Sequence, residues 1–379
     1  MAERSVATDD DLIARVAWSR IAEPGDPAAG VLIAGLGPVV ALDWLRSGSS
    51  QPPGLSPHRG WRLATDRWRP RLRDLDPGRE LGTIDRLGGT VLVPTDPRWP
   101  PGLHDLGNAA PICLWIRGDA ELARLAHPAV AVVGARANTG YGAQVAADLS
   151  AGLVAAGVTV VSGGAFGIDA CAHHAVLGAG GRPLAVMAGG LDRFYPVANT
   201  ELLHSVVRTG AVVSEVPPGT APMRQRFLAR NRLIAALAQV TVVVEAAWRS
   251  GALSTARHAL ELLRPLGVVP GPVTSMASAG CHRMLREGSA VCVTDAGEVL
   301  ELLGELDGML VEPDTAPGFL DGLEPEQARL LDALPLRGTA DPDNLVRVSG
   351  LSIGQTLAGL GELELAGRIK RAGAGWRRV

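Results

Sequence analysis

Nine residues from Arg224 to Arg232 hold four arginines, Arg224, Arg226, Arg230 and Arg232, with no acid between Glu215 and Glu245. A guanidinium is a planar fork of donors that fits phosphate and carboxylate oxygens. Arg230 and Arg232 stand two apart, so they cannot share one helix face. We therefore expect a split role. One points to an external anion, and the other reaches back to a carboxylate such as Asp169 or Glu245 in the core. Phe227 lies beside them. Charge for phosphates and a flat face for bases is what single-stranded nucleic acid requires. A cluster of salt bridges between helices fits the same composition.

Other chemistry-bearing residues fall at the ends of apolar runs. Gly134 to Gly142, "GARANTGYG", has small residues that let backbone amides approach an anion, and Arg136 adds a fork. Neither G-x-G-x-x-G nor G-x-x-x-x-G-K-[ST] matches, so the dinucleotide and P-loop readings fail. Ser162 to His173, "SGGAFGIDACAH", supplies Ser162, Gly163, Gly164, Phe166 and Gly167 ahead of Asp169. Asp169 fits a carboxylate that caps its own helix or pairs with an internal arginine, ahead of a catalytic one. His173 and His174 are adjacent and lack the i, i+4 spacing of a metal pair. Arg193 and Tyr195 follow the next apolar run, and Ser250, Gly251 and Ser254 the one after the arginine cluster. No catalytic residue, metal or cofactor is expected.

These residues need a scaffold that brings strand ends together. From Ala129, continuous apolar strands alternate with helix-period segments. That pattern means a parallel sheet covered on both faces, an α/β fold with ligands at the carboxyl ends of the strands. Two further short strands, "GGTVLVPTD" and "APICLWIRGD", precede it. Residues 9–50 read as helices, and 51–79, rich in Pro, Arg and Trp, show no clear period. The expected organisation is a small helical N-terminal domain (1–84), the sheet domain (85–305), a linker (306–320) and a C-terminal module (321–379). The last has three helical segments and a basic hairpin, a winged-helix pattern.

The 379-residue chain carries a net charge of −3, so any anion site is a local patch. Cys113, Cys171, Cys281 and Cys292 form no C-x-x-C pair and read as reduced thiols. The N-terminus has acids where a signal peptide needs an apolar run. No stretch reaches the roughly 18 uninterrupted apolar residues of a membrane span. A cytoplasmic location and no membrane partner are expected.

The segments "VVGARANTGYG", "SGGAFGIDACAH", "GGLDRFYP", "SEVPPG", "FLARNRLIAALA", "VVVEAAWRSGALSTA", "VPGPV" and "GCHRMLREGSA" stand in the order seen in the DNA-processing protein A family, also called DprA or Smf. The chain resembles that family over about residues 85–305. The resemblance implies an extended Rossmann-like sheet, a homodimer and no enzymatic reaction. It also implies binding of incoming single-stranded DNA in natural transformation, its protection, and loading of RecA onto it. Carried over, the pocket is Arg136, the loop from Ser162 to Gly167, and Phe227 with Arg230, Asn231 and Arg232. Arg193, Arg224, Ser250, Gly251 and Gly134 are expected to join it. The segment carrying Met284 and Leu285 resembles the family's dimerisation segment.

Three positions depart from the family. Phe166 stands where a basic residue is usual, Gly164 where Leu is common, and Leu228 where Pro follows the Phe. Phe166 either folds back onto the helix starting at Ile168 or stacks on a base. Two rival functions remain open. One is a nucleotide-processing enzyme like the lysine-decarboxylase-like nucleotide hydrolases, although their P-G-G-x-G-T loop is absent and the comparable stretch reads "WRSGALST". The other is a duplex-DNA binder acting through the winged helix alone.

Overall fold

The computed structural model describes residues 9–56, 59–304, 323–335 and 338–378. The expected linker falls outside them. Two compact units result, Met1–Leu310 and Val311–Val379.

The first unit opens with five helices, α1 (Asp9–Ile21), α2 (Pro27–Leu36), α3 (Pro38–Ser47), α4 (Arg59–Trp68) and α5 (Pro77–Arg86). Helices α4 and α5 correct the reading of 51–79 as irregular. In α4 the buried Trp61, Ala64, Thr65 and Trp68 follow the i, i+3, i+4, i+7 spacing of one helix stripe. Trp18 meets Trp68 edge-on at 5.3 Å and Trp44 meets Trp61 at 6.2 Å. Such edge-to-face pairs add to the gain from burying the rings. The change near residue 84 is a change of architecture inside one unit. Val16 of α1 and Ile84 of α5 share a core with Trp115, Met187 and Val206 of the sheet layer.

Strands β1 (Gly89–Leu92) and β2 (Leu114–Gly118) lead to a short helix, α6 (Leu122–Leu125). The alternating stretch follows: β3 (Ala129–Val133), α7 (Gly140–Ala155), β4 (Thr159–Ser162), α8 (Ile168–Gly178), β5 (Leu184–Met187) and α9 (Thr200–Thr209). It continues through β6 (Ala211–Ser214), α10 (Arg224–Leu237), β7 (Val240–Val243), α11 (Ala252–Glu261) and β8 (Leu266–Val268). Helix α12 (Ala279–Arg286), strand β9 (Val291–Cys292) and helix α13 (Ala296–Leu303) close the unit.

Among the described residues these strands form one sheet, ordered β1-β2-β6-β5-β4-β3-β7-β8-β9. Seven strands, β3 to β9, are parallel where they pair, but β1 and β2 run antiparallel, so the sheet is mixed at that edge. Strand β3 shows why its sequence is apolar throughout. Ala129, Ala131 and Val133 pack into one face's core and Val130 and Val132 into the other's. From β3 the chain steps outward through β4, β5 and β6, then returns to the other side of β3 with β7. That reversal opens a crevice at the carboxyl ends of β3 and β7, where ligands of open α/β sheets bind.

The second unit holds α14 (Pro325–Ala333), α15 (Pro342–Ser349), α16 (Ile353–Leu365) and the hairpin β10 (Ile369–Ala372) and β11 (Gly375–Arg378). Leu330, Leu345, Leu360, Leu363 and Ile369 form its own core. Three helices and a two-stranded wing match the winged-helix pattern of the sequence.

Candidate functional site

A cleft of about 910 Å³ lies at the crevice beside β3 and β7. Its walls are the loops after β3 and β7, Ala165 and Asp169 after β4, and one face of α10. On α10 the cleft face carries Arg224, Phe227, Leu228 and Asn231. These positions follow the i, i+3, i+4, i+7 spacing of a single helix stripe.

Phe227 is the hub. The Arg136 guanidinium lies 4.8 Å from its ring centroid and that of Arg230 5.9 Å away. Tyr195 packs against it at 5.8 Å and is itself half-exposed. Arg136 is exposed, so its fork stays open to solvent while the ring fixes its plane.

Arg230 is buried, and its Nη1 donates to the Val186 carbonyl at 2.8 Å. Burial pushes its pKa down to about 10, with Asp169 acting against that shift and Arg136 with it. It therefore remains a cation at neutral pH. Gly163 makes this seat possible, because a Cβ there would stand 1.8 Å from Arg230 Nη1. Asp169 is buried below the loop, and burial pushes its carboxyl up from the ordinary aspartate value. It accepts from the Gly163 amide at 3.1 Å and the Ala165 amide at 3.4 Å. It thus braces the loop through backbone amides, with the charge of Arg230 nearby.

The loop is pinned from other sides as well. Asn199 Nδ2 donates to the Gly164 and Ala165 carbonyls at 3.0 and 3.1 Å. Gly167 has φ +81°, and a Cβ on it would meet the Ala135 carbonyl oxygen. A residue with a side chain is strained at that φ and has no room beside the β3 loop. Phe166, between these fixed points, is 47% exposed. The ring is therefore not a core residue, and half of its surface is open to solvent.

Several expected residues lie elsewhere. Arg232 is buried and faces away from the cleft, with Nη2 donating to both Glu215 oxygens at 2.7 and 2.8 Å. The split between Arg230 and Arg232 is therefore real, but the carboxylate that Arg232 reaches is Glu215, not Asp169 or Glu245. Ser162 is fully buried, and its hydroxyl donates to the Val132 carbonyl at 2.7 Å. Arg193 is exposed but is not on the cleft wall. Met284 belongs to the core and Leu285 packs partly against it, so the two do not form an exposed apolar patch for the dimerisation expected of their segment. The amphipathic spacing of α12 turns both inward.

Gly134, Ser250 and Gly251 do line the cleft, and Asn231 Nδ2 donates to the Gly251 carbonyl at 3.3 Å. Arg249 and Met276 also line it. Sequence reading missed both; Arg249 sits one residue before the small polar pair that drew notice. Glu245 accepts from the Thr139 amide at 2.9 Å and its hydroxyl at 2.6 Å, a helix-start brace that occupies both carboxylate oxygens. His173 is fully buried without a hydrogen-bond partner on either ring nitrogen, and burial pushes its pKa down to about 3. Cleft walls rich in donors, with their carboxylates spent on backbone amides and buried cations, can hold an extended anion.

Comparisons with known proteins agree with this arrangement. The family model "DNA recombination-mediator protein A" matches residues 90–304, and "DprA winged helix domain" matches residues 313–375. The putative DNA processing protein DprA of Mycobacterium tuberculosis strain H37Rv is 43% identical over 382 residues, 95% of each chain. The X-ray structure of DNA processing protein A from Streptococcus pneumoniae is similar at TM-score 0.63 and 30% identity, covering 78% of this chain and 98% of that one. DNA processing protein A from Helicobacter pylori, whose structure describes a single-stranded DNA binding mode, is similar at TM-score 0.51 and 29% identity, covering 57% and 96%.

Proposed function

Because the chain belongs to the DNA recombination-mediator protein A family, we propose that its cleft binds single-stranded DNA. The strand's phosphates lie against Arg136, Arg224 and the field of Arg230, and bases stack on the exposed aromatics. The observation that carries this reading is the Arg136–Phe227–Tyr195 column at the sheet's switch point. The same proposal includes a non-catalytic role: protecting incoming DNA in transformation and loading RecA, by a homodimer in the cytoplasm. Among the described residues no single helix is long and apolar enough to cross a membrane. The enzyme reading has less support, since the P-G-G-x-G-T loop is absent and both oxygens of the nearby Glu245 carboxylate accept from Thr139.

The test is a salt-titrated binding assay on matched single- and double-stranded oligonucleotides. Single strands should bind more tightly, and Arg136→Ala should lower the affinity and flatten the log–log salt slope by about 0.7 for one lost phosphate contact. Equal affinity for both forms, or an Arg136→Ala slope like that of the wild type, overturns the reading. Nucleotide release by the protein would favour the hydrolase alternative.

A further inference from the structure

The arginine helix is held from behind by the N-terminal region. Helix α10 starts at Met223 without a side-chain cap, and its first turn has arginines and no acid. Positive charge at the positive end of a helix dipole is unfavourable, and an uncapped start frays readily. A short stretch after α1 supplies what the helix lacks. Glu23 takes Arg226 fork to fork, Nε to Oε2 and Nη2 to Oε1, both at 2.9 Å. Arg226 Nη1 donates to the Ala221 carbonyl at 2.7 Å, which closes the remaining side of the guanidinium.

The neighbours of Glu23 act on the same segment. Arg20 donates to Thr220 Oγ1 at 3.1 Å and to the Pro218 carbonyl at 2.7 Å, fixing the loop that leads into α10. The Gly25 amide donates at 3.3 Å to Glu215, the carboxylate that holds Arg232. Glu23 itself is shared with Arg71 at 2.6 Å. Burial pushes its carboxyl up, but the bonds to Arg226 and Arg71 outweigh that and hold it below the ordinary glutamate value. Arg226 lines a separate cavity of about 570 Å³ together with Arg20 and Glu23, whereas Arg224, Phe227 and Asn231 line the cleft.

We propose that Glu23 is a positioning residue for the cleft: by seating Arg226 on the back of α10 it fixes the helix's first turn and rotation, so that Arg224 and Phe227 face the DNA. It does this without touching DNA. The proposal rests on the reading of the cleft as a single-stranded DNA site.

The test uses the full-length chain, an unstructured oligothymidine and the variant Glu23→Gln. The Kd should rise on the order of tenfold, the coupling expected of residues in direct contact. The salt slope should stay at the wild-type value, because no phosphate contact is removed. Amide exchange in 223–227 should quicken, reporting local opening of the first turn. Arg226→Gln should do the same, and the double variant should be no worse than either single one, since both break one linkage. Wild-type affinity in a folded Glu23→Gln protein, a flatter salt slope, or additive losses would each overturn the proposal. If the wild type itself fails to bind oligothymidine, the reading of the cleft falls instead. Exchange at 223–227 still decides the positioning claim, and wild-type protection in Glu23→Gln would end it.

Discussion

An arginine rests on an aromatic ring in each of the two units, and only one of the pairs stands in a built site. In the cleft, Arg136 lies over Phe227 among loops from three parallel strands. Those loops are pinned by Asp169, Asn199 and the seat of Arg230 over Gly163. In the winged-helix unit, Arg371 lies 5.6 Å over Trp376 on the two-stranded hairpin, where the Trp376 backbone exchanges two hydrogen bonds with Ala340. The helix before it, α16, contains no lysine or arginine and carries Glu362 and Glu364, with Ile353 and Leu357 half-exposed. A helix that reads a major groove needs donors and cations along its outer face. An arginine on a ring is thus common material. What sets the cleft apart is that loops from several strands converge around its pair.

The largest expected effect lies behind the cleft, at the buried pair between α10 and Glu215. Arg232→Ala strands Glu215 in the interior, and breaking a buried pair on one side costs about 3–5 kcal/mol. Chemical denaturation should show that loss in the first unit, while the folded fraction binds DNA as the wild type does. A loss below about 1 kcal/mol would mean the pair is not the brace described.

Acid separates the units next. His173 holds no proton in the folded state until about pH 3, whereas the unfolded chain takes one up near its ordinary value of 6.5. The stability tied to it is therefore complete above 6.5 and is lost as pH falls toward 3. Going from pH 7 to pH 5 should cost the first unit about 2 kcal/mol from this group. His173→Leu should flatten that dependence. No histidine follows His282, so the winged-helix unit should not share it. Equal pH dependence of wild type and His173→Leu would refute this.

A smaller effect attends Phe166→Ala. The ring is half-exposed, so thermal stability should hardly move. Single-stranded DNA binding should weaken by about 1 kcal/mol, at the low end for one stacked base, and by a similar factor at low and high salt. A fall in melting temperature with unchanged affinity would rule stacking out. The smallest change belongs to the wing. Arg371→Ala should alter single-strand affinity less than about twofold, as for a surface substitution within ±0.5 kcal/mol. A larger loss would make the two arginine–ring pairs equivalent after all.

The strands, most helices and the strand-end loops that line the cleft were legible because apolar runs and glycine-rich turns are local signals. The antiparallel direction of β1 and β2 was not, since both directions suit the same apolar residues. Burial of Ser162 was hidden too: a serine ending a strand reads alike whether its hydroxyl meets Val132 or a ligand. The arginines show the limit most clearly. Spacing separated Arg230 from Arg232, but the choice of Glu215 as partner depends on a fold that sets β6 beside the arginine helix. Helices α4 and α5 were obscured by the prolines and arginines around them, although Trp61 and Trp68 of α4 stand at helical spacing.

The pair between Glu23 and Arg226 joins residues 203 positions apart. During synthesis, the first half of this contact leaves the ribosome long before the second exists. At about 5–20 residues per second, the wait is roughly 10–40 s. The tryptophan-rich helices can collapse on their own in that time, and the central strands can begin to pair. The arginine helix meets its clamp only afterwards, as contacts of long sequence separation do. A nascent chain is therefore a scaffold without its clamp for most of its time on the ribosome, and the cleft is among the last parts of the first unit to be completed.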